Sequence, residues 1–270
     1  KTLKLRPGTR LIGLHPFGTQ FKLQENTPAF SGFGSPVPLL ESSVGGNDML
    51  SGIGINTGAY NYRACGVKWM AGADSYLNDV KFVGGHGTMR KPGVQMDYGT
   101  DRAWDKQYYS LWVTNGGGGT IKDIWTASTF ALNGIYVENT STPGKVYAMS
   151  VEHHVINEVR LNKVQNWKFY CLQTEEESRE STECQPIEMD DCSNVEFFNT
   201  YMFRVIRVNE PYHSSIRVRN CSDVRFYNLH NYSQIKYTTD IPVYDHNKNI
   251  EVRPWELAML TVKGDEPCRR

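Results

Sequence analysis

The sequence predicts an all-β protein, a right-handed parallel β-helix that runs through residues 1–270 as one solenoid domain with loop excursions. Three observations point there. A short phrase, Asn or Asp followed by alternating apolar residues, recurs along the chain. Its later copies are spaced by one coil length, with steps of 28, 29 and 26 residues from Asn166 to Asn194, Asp223 and Asn249. Composition favours turns and flat side chains over helices, with 24 glycines, 15 tyrosines and 6 tryptophans. A repeat of 20 to 50 residues holding one short strand is the pattern of a solenoid, whereas a β-sandwich has no reason to repeat one phrase at that interval.

Taken in chain order, Leu3 and Leu5 already alternate as a strand does, and the chain starts without Met, so it reads as a processed or trimmed part of a longer polypeptide. The segment from Pro28 to Asp48 reads as an excursion from the coil. The phrase then appears as Asp79-Val80-Lys81-Phe82, and a Gly-rich joint follows from Val83 to Met89. Lys91 to Tyr109, rich in charge and aromatics, reads as a second excursion, of the kind that builds binding walls on a rigid scaffold. Four glycines, Gly116 to Gly119, lack the following Lys-Ser/Thr of a phosphate loop and read as a turn or a close approach of bare backbone. Asp123-Ile124-Trp125 and Asn166-Trp167-Lys168-Phe169 lie 44 and 43 residues beyond the preceding copies, which fits two coils each. Asn194-Val195-Glu196-Phe197, Asp223-Val224-Arg225-Phe226 and Asn249-Ile250-Glu251-Val252 complete the series. In every copy Asn or Asp takes the turn, where it tolerates left-handed backbone, and the apolar positions build an inward column.

Charge narrows the partners. Lys and Arg number 29 and Asp and Glu number 29, so no excess charge calls for a nucleic acid or an anionic membrane. No stretch approaches the roughly 20 apolar residues of a membrane span, and no signal sequence is visible. Six cysteines lack paired zinc spacing, so no metal site is expected. Cys171, Cys184 and Cys192 are near enough in sequence for a local disulfide, while Cys192 and Cys221 sit at equivalent repeat positions as core thiols would. Sequons at Asn139, Asn220 and Asn231 fit a secreted or periplasmic protein.

The stretch from Ser150 to Ser178 carries acids that packing does not ask for: Glu152 beside His153 and His154, then Gln173, Thr174 and Glu175 to Glu177. Glu152 and Glu175 are 23 residues apart, about one coil, so their carboxyls can project from stacked rungs about 4.8 Å apart. Such a pair suits glycoside hydrolysis, in which one protonated carboxyl serves the leaving oxygen and a second group activates water or attacks the sugar. Mutual repulsion would hold one proton in place. The plainer readings are a solvated loop for the glutamates, ordinary carboxylate partners for the histidines, and core for Trp112 and Trp125, which otherwise serve as sugar platforms.

The segment Val146 to Glu175, "VYAMSVEHHVINEVRLNKVQNWKFYCLQTE", resembles the part of glycoside hydrolase family 55 in which "VEHHVLYQY" is followed about one coil later by "QTE". The preceding "GIYVENTSTPGKVY" is similar to that family's strand before it. The resemblance covers roughly residues 110 to 180. It implies an exo-acting, inverting β-1,3-glucanase on a β-helix, with Glu175 as general acid and Glu152 helping to hold the nucleophilic water. His153, His154 and Gln173 would line the same site. The family has two β-helical lobes, and a solenoid with an uncapped end calls for a second lobe or a homo-oligomer to cover its exposed strands. After "QTE" this chain continues Glu176-Glu177-Ser178-Arg179-Glu180 in place of the family's proline and aromatics.

Two other functions compete. A polysaccharide lyase acting on a uronate glycan would rely on Arg160, His153 or His154 as base. A non-catalytic, glycan-binding β-helix would keep the aromatic surfaces and tolerate loss of both acids. The hydrolase is the expected function, with a polysaccharide or oligosaccharide as substrate, and its chemistry requires no cofactor.

Overall fold

The computed structural model describes residues 1–83, 108–126, 131–176, 181, 183–204, 213–233, 241–253, 259–264 and 266–269. The joint after Val83 and most of the excursion read from Lys91 onward lie outside them. In chain order the strands are β1 (Leu3–Lys4), β2 (Arg10–Ile12), β3 (Gln20–Lys22), β4 (Val37–Glu41), β5 (Met49–Asn56), β6 (Ala64–Trp69), β7 (Tyr76–Phe82), β8 (Tyr109–Val113), β9 (Gly119–Lys122) and β10 (Asn133–Thr140). They continue as β11 (Gly144–Glu152), β12 (Asn157–Glu176), β13 (Gln185–Asp190), β14 (Ser193–Arg204), β15 (Ile216–Arg219), β16 (Ser222–Ser233), β17 (Val243–Asp245), β18 (Ile250–Val252), β19 (Met259–Lys263) and β20 (Glu266–Arg269).

These strands form a parallel β-helix. One sheet stacks β4, β6, β8, β10, the first part of β12, β13, β15 and β17, all parallel. The other stacks β5, β7, β9, β11, the second part of β12, β14 and β16. Inward residues form columns: Val67, Leu111, Ile135, Val159, Ile187 and Ile216 on the first sheet. On the second they are Leu77, Ile121, Val146, Phe169, Phe197 and Phe226. All are buried in one continuous core.

The polar residue of each phrase takes left-handed backbone as expected, with φ of 49° at Asp79, 57° at Asp123, 65° at Asn166, 53° at Asn194, and 52° at Asp223 and Asn249. Asn is well suited there because its short amide tolerates that region and can bond along the stack. Asn194 Nδ2 donates to Asn166 Oδ1 at 2.7 Å, and Asn228 Nδ2 to Asn199 Oδ1 at 2.8 Å. Asn139 and Asn220 also stand at left-handed corners, with φ of 50° and 52°, so backbone geometry alone accounts for asparagine at two of the three sequons.

The register corrects the coil count. Leu77 pairs directly with Ile121, so the 44-residue step is one coil carrying an excursion. Asp123 follows the pair Lys122–Tyr147, in line with Ala148 and then Cys171, so it belongs to a different corner from Asn166. Residues 28–48 are likewise more than an excursion, because β4 lies within them and forms a rung between β1 and β6. The last phrase sits on β18, which turns back antiparallel to β17. On the other sheet β19 lies antiparallel on β16 and pairs with β20. Antiparallel strands laid on both final rungs occupy edges that would otherwise offer unpaired backbone groups.

The tetraglycine is a close-approach turn. At Gly119 φ is +92°, and a Cβ there would lie 2.3 Å from Ser75 Oγ. Cys65, Cys171, Cys184, Cys192 and Cys221 are free thiols, so the local disulfide is not formed among Cys171, Cys184 and Cys192. Cys192 and Cys221 are stacked in the core, the backbone amide of Cys192 donating to Cys221 Sγ at 3.3 Å.

Candidate functional site

Strands β11 and the second half of β12 bring the two acids together. Val151 and Thr174 are buried inside the coil, so by alternation Ser150, Glu152, Gln173 and Glu175 face outward. Ser150 pairs with Gln173 and Glu152 with Glu175 in register, placing the acid backbones one rung apart, about 4.8 Å. Trp125 bridges to Ser150 on the preceding rung. A shallow open groove of about 440 Å³ runs here, lined by Lys81, Asp123, Trp125, Ser150, Glu152 and Gln173 among others.

Glu152 is tightly held. Its Oε1 accepts hydrogen bonds from Trp125 Nε1 at 2.9 Å and Ser150 Oγ at 2.5 Å, and His153 Nε2 lies 3.5 Å from Oε2. Burial alone would raise its pKa, but the hydrogen bonds from His153, Ser150 and Trp125 outweigh that and hold it below the usual carboxylate value. Glu152 is therefore an anion at neutral pH. Glu175 is partly exposed and accepts a hydrogen bond from Gln173 Nε2 at 3.3 Å. Glu177 lies outside the described residues.

Behind this pair is a buried polar cluster that a single sequence does not disclose. His154 Nδ1 lies 2.5 Å from Glu158 Oε2, its Nε2 is 3.1 Å from Ser110 Oγ, and its backbone amide donates to Glu158 Oε1 at 3.1 Å. Burial pushes His154 down to about 3 and pushes Glu158 well above the carboxylate range, so the pair shares one proton and carries no net charge. Glu176 also faces inward, its pKa raised by burial and then by Glu158, with Arg204 paired to it on the next rung. Arg204 Nη1 donates to the Cys184 carbonyl at 3.2 Å. This network pins the left-handed turn at His153, whose φ is 68°, and with it the direction of Glu152.

The cluster has a pH signature. A buried acid with a raised folded pKa contributes stability that is complete below its ordinary 4.5 and is lost as pH rises through the folded value. His154, lowered, contributes stability present above its ordinary 6.5 and lost as pH falls toward about 3. Urea midpoints are thus expected to decline on the alkaline side of neutrality, and Glu158→Gln, which keeps both an acceptor and a donor beside His154, to flatten that decline. An unchanged alkaline slope in the variant would show that Glu158 is not the group responsible.

The structure does not gather every residue read from the sequence. Trp112 lies on the first sheet, donating to Glu138 Oε1 at 2.9 Å under the Lys68 ammonium, 4.9 Å from its ring centroid, and is not part of the groove. Arg160 is on the same sheet, bonded to Glu188 and Asp190. The rings of both His153 and His154 are buried, where alternation along a strand would have turned one outward. Among the described residues no group of three His, Cys, Asp or Glu is placed to hold a metal ion, and no helix is long and apolar enough to cross a membrane.

Comparison with known proteins identifies no family for the chain. No family model and no curated protein matches the chain, so the likeness of residues 146–175 to glycoside hydrolase family 55 rests on those residues alone. Among solved structures, the Streptococcus pneumoniae surface protein and adhesin PfbA aligns over 91% of this chain and 86% of its own, at 9% identity and a TM-score of 0.27.

Proposed function

We propose that this β-helix is a carbohydrate-active enzyme that hydrolyses glycosidic bonds of a polysaccharide, with Glu175 and Glu152 as the reacting pair. The observation that carries the reading is the register Glu152–Glu175 beside an open groove walled by Trp125. Glu152, kept ionised by its donors, is suited to orient water and accept its proton, which leaves Glu175 as proton donor. In the reaction Glu175 protonates the departing glycosidic oxygen as its bond to the anomeric carbon breaks. Water attacks that carbon, gives one proton to Glu152 and keeps the other as the new anomeric hydroxyl. Stacked rungs allow the separations of either stereochemical course. A polysaccharide substrate would place the protein's work outside the cytoplasm.

The lyase reading has weaker support. Arg160 is committed to two carboxylates on the other sheet, and the His154 ring is engaged at both nitrogens. The deciding experiment incubates the protein with neutral and uronate-containing polysaccharides and records both reducing ends and the absorbance of unsaturated sugars. Reducing ends without unsaturation are expected. Unsaturated products would establish a lyase, and binding without any product would leave a glycan-binding solenoid.

A further inference from the structure

We infer that a neutral glycan chain lies along the helix axis, crossing the acid pair from Trp125 to an aromatic shelf formed by Tyr201, Phe203, His230 and Tyr232, so that scission falls at linkages inside the chain. The cleavage half of this inference rests on the hydrolase reading; the binding half does not.

The shelf continues the site rung by rung. Gln173 pairs with Tyr201, which pairs with His230, while Glu175 pairs with Phe203, which pairs with Tyr232. Met202, between the first two rings, is buried, so Tyr201 and Phe203 face outward on the same side as Gln173 and Glu175. Tyr201 is 39% exposed and Tyr232 49%, so both rings are open to a ligand that lies along the sheet.

The packing of these rings differs from that of a second outward ladder on the same strands. There Tyr147, Tyr170, Phe198 and Tyr227 stand 4.7 to 4.9 Å apart and within 9° of parallel, so they cover one another's faces. In the shelf, Tyr201 and Phe203 are 6.1 Å apart at 27°, Phe203 and Tyr232 5.4 Å at 21°, and Tyr201 and His230 6.3 Å at 44°. Those offsets leave ring surface uncovered. Pyranose rings pack their C–H faces on such surface while their hydroxyls meet phenol and imidazole edges.

Charge selects the occupant. From Ser150 onward the two outward columns carry no Lys or Arg, and Lys81, beyond Trp125, is bonded to Asp79 and Asp123. A uronate chain would find no cation in these columns, whereas a neutral chain needs none. The acids stand between two aromatic platforms, because Trp125, with Phe17 edge-on at 6.1 Å, precedes them and the shelf follows. A site with platforms on both sides of the reacting bond holds a chain on both sides of it. This differs from the exo action that the family resemblance implies.

The test uses the whole chain carrying Glu175→Gln, so that binding is read without turnover. Calorimetric titration with laminarihexaose, cellohexaose and xylohexaose, and with the matching disaccharides, is compared with the same chain also carrying Tyr201→Ala and Tyr232→Ala. Both tyrosines are surface residues, and circular dichroism checks the fold. At least one hexasaccharide is expected to bind, and the tyrosine changes to weaken it about tenfold or more while leaving disaccharide binding alone. Undiminished hexasaccharide binding in the tyrosine variant, or no binding of any hexasaccharide, would overturn the shelf. With the unaltered protein, mid-length early products support interior scission, and release of single sugars alone refutes it. Shelf-dependent binding with no cleavage at all would sink the hydrolase reading and uphold the shelf.

Discussion

Replacing Glu175 by Gln is expected to lower hydrolysis by about 10² to 10⁴-fold, the range for loss of a positioned general acid, with glycan affinity retained. Gln preserves the size of the side chain and its bond to Gln173, and Glu175 is only partly buried, so the fold should survive. Substrates with activated leaving groups need less protonation and should lose less rate, which separates a missing acid from a disturbed fold. Glu152→Gln should act differently. It removes a charge that Trp125, Ser150 and His153 are arranged to hold, so both leaving-group classes should suffer alike. Near-normal turnover by Glu175→Gln on a natural polysaccharide would end the assignment of Glu175.

The largest effect on stability is expected from Phe197→Ala. Phe197 is fully buried and stacks between Phe169, at 4.7 Å and 7°, and Phe226, at 5.2 Å and 17°. Truncation removes the ring's burial and leaves a cavity that two adjoining rungs cannot close, a loss of about 3 to 5 kcal/mol. Whole domains are commonly stable by only about 5 to 15 kcal/mol, so the variant should unfold at a much lower urea concentration. A solenoid passes stability from rung to neighbouring rung, so β12, with Glu175, should loosen with β14. Phe197→Leu should recover much of the loss. A cost below about 1 kcal/mol for the Ala variant would mean that the ring column is not the cohesive element of this sheet.

The architecture was legible because its signal is local. Asn or Asp before an alternating strand is written into Asp79, Asp123, Asn166, Asn194 and Asp223, and each takes the left-handed backbone that a corner requires. The step from Glu152 to Glu175 was legible for the same reason, since one coil separates them and no excursion intervenes. Counting failed where that condition failed. Between Leu77 and Ile121 an excursion lengthens one coil to 44 residues, and between Asp123 and Asn166 the phrase changes corner, which spacing cannot reveal. Trp112 stands on the other sheet from the groove, because sequence order along a coil does not say which sheet a residue joins.

The parallel β-helix, its inward columns and the one-coil spacing of the two acids are written in the residue pattern, since each follows from a periodicity of two or of one coil. What surrounds those acids is set by the stacking of the coils. The donors on Glu152, the buried Glu158–His154 pair and the shelf beyond Glu175 are contacts between residues on different rungs or across a tight turn. Their strength depends on burial and on distances of a few ångströms, quantities that exist only once the coils are stacked.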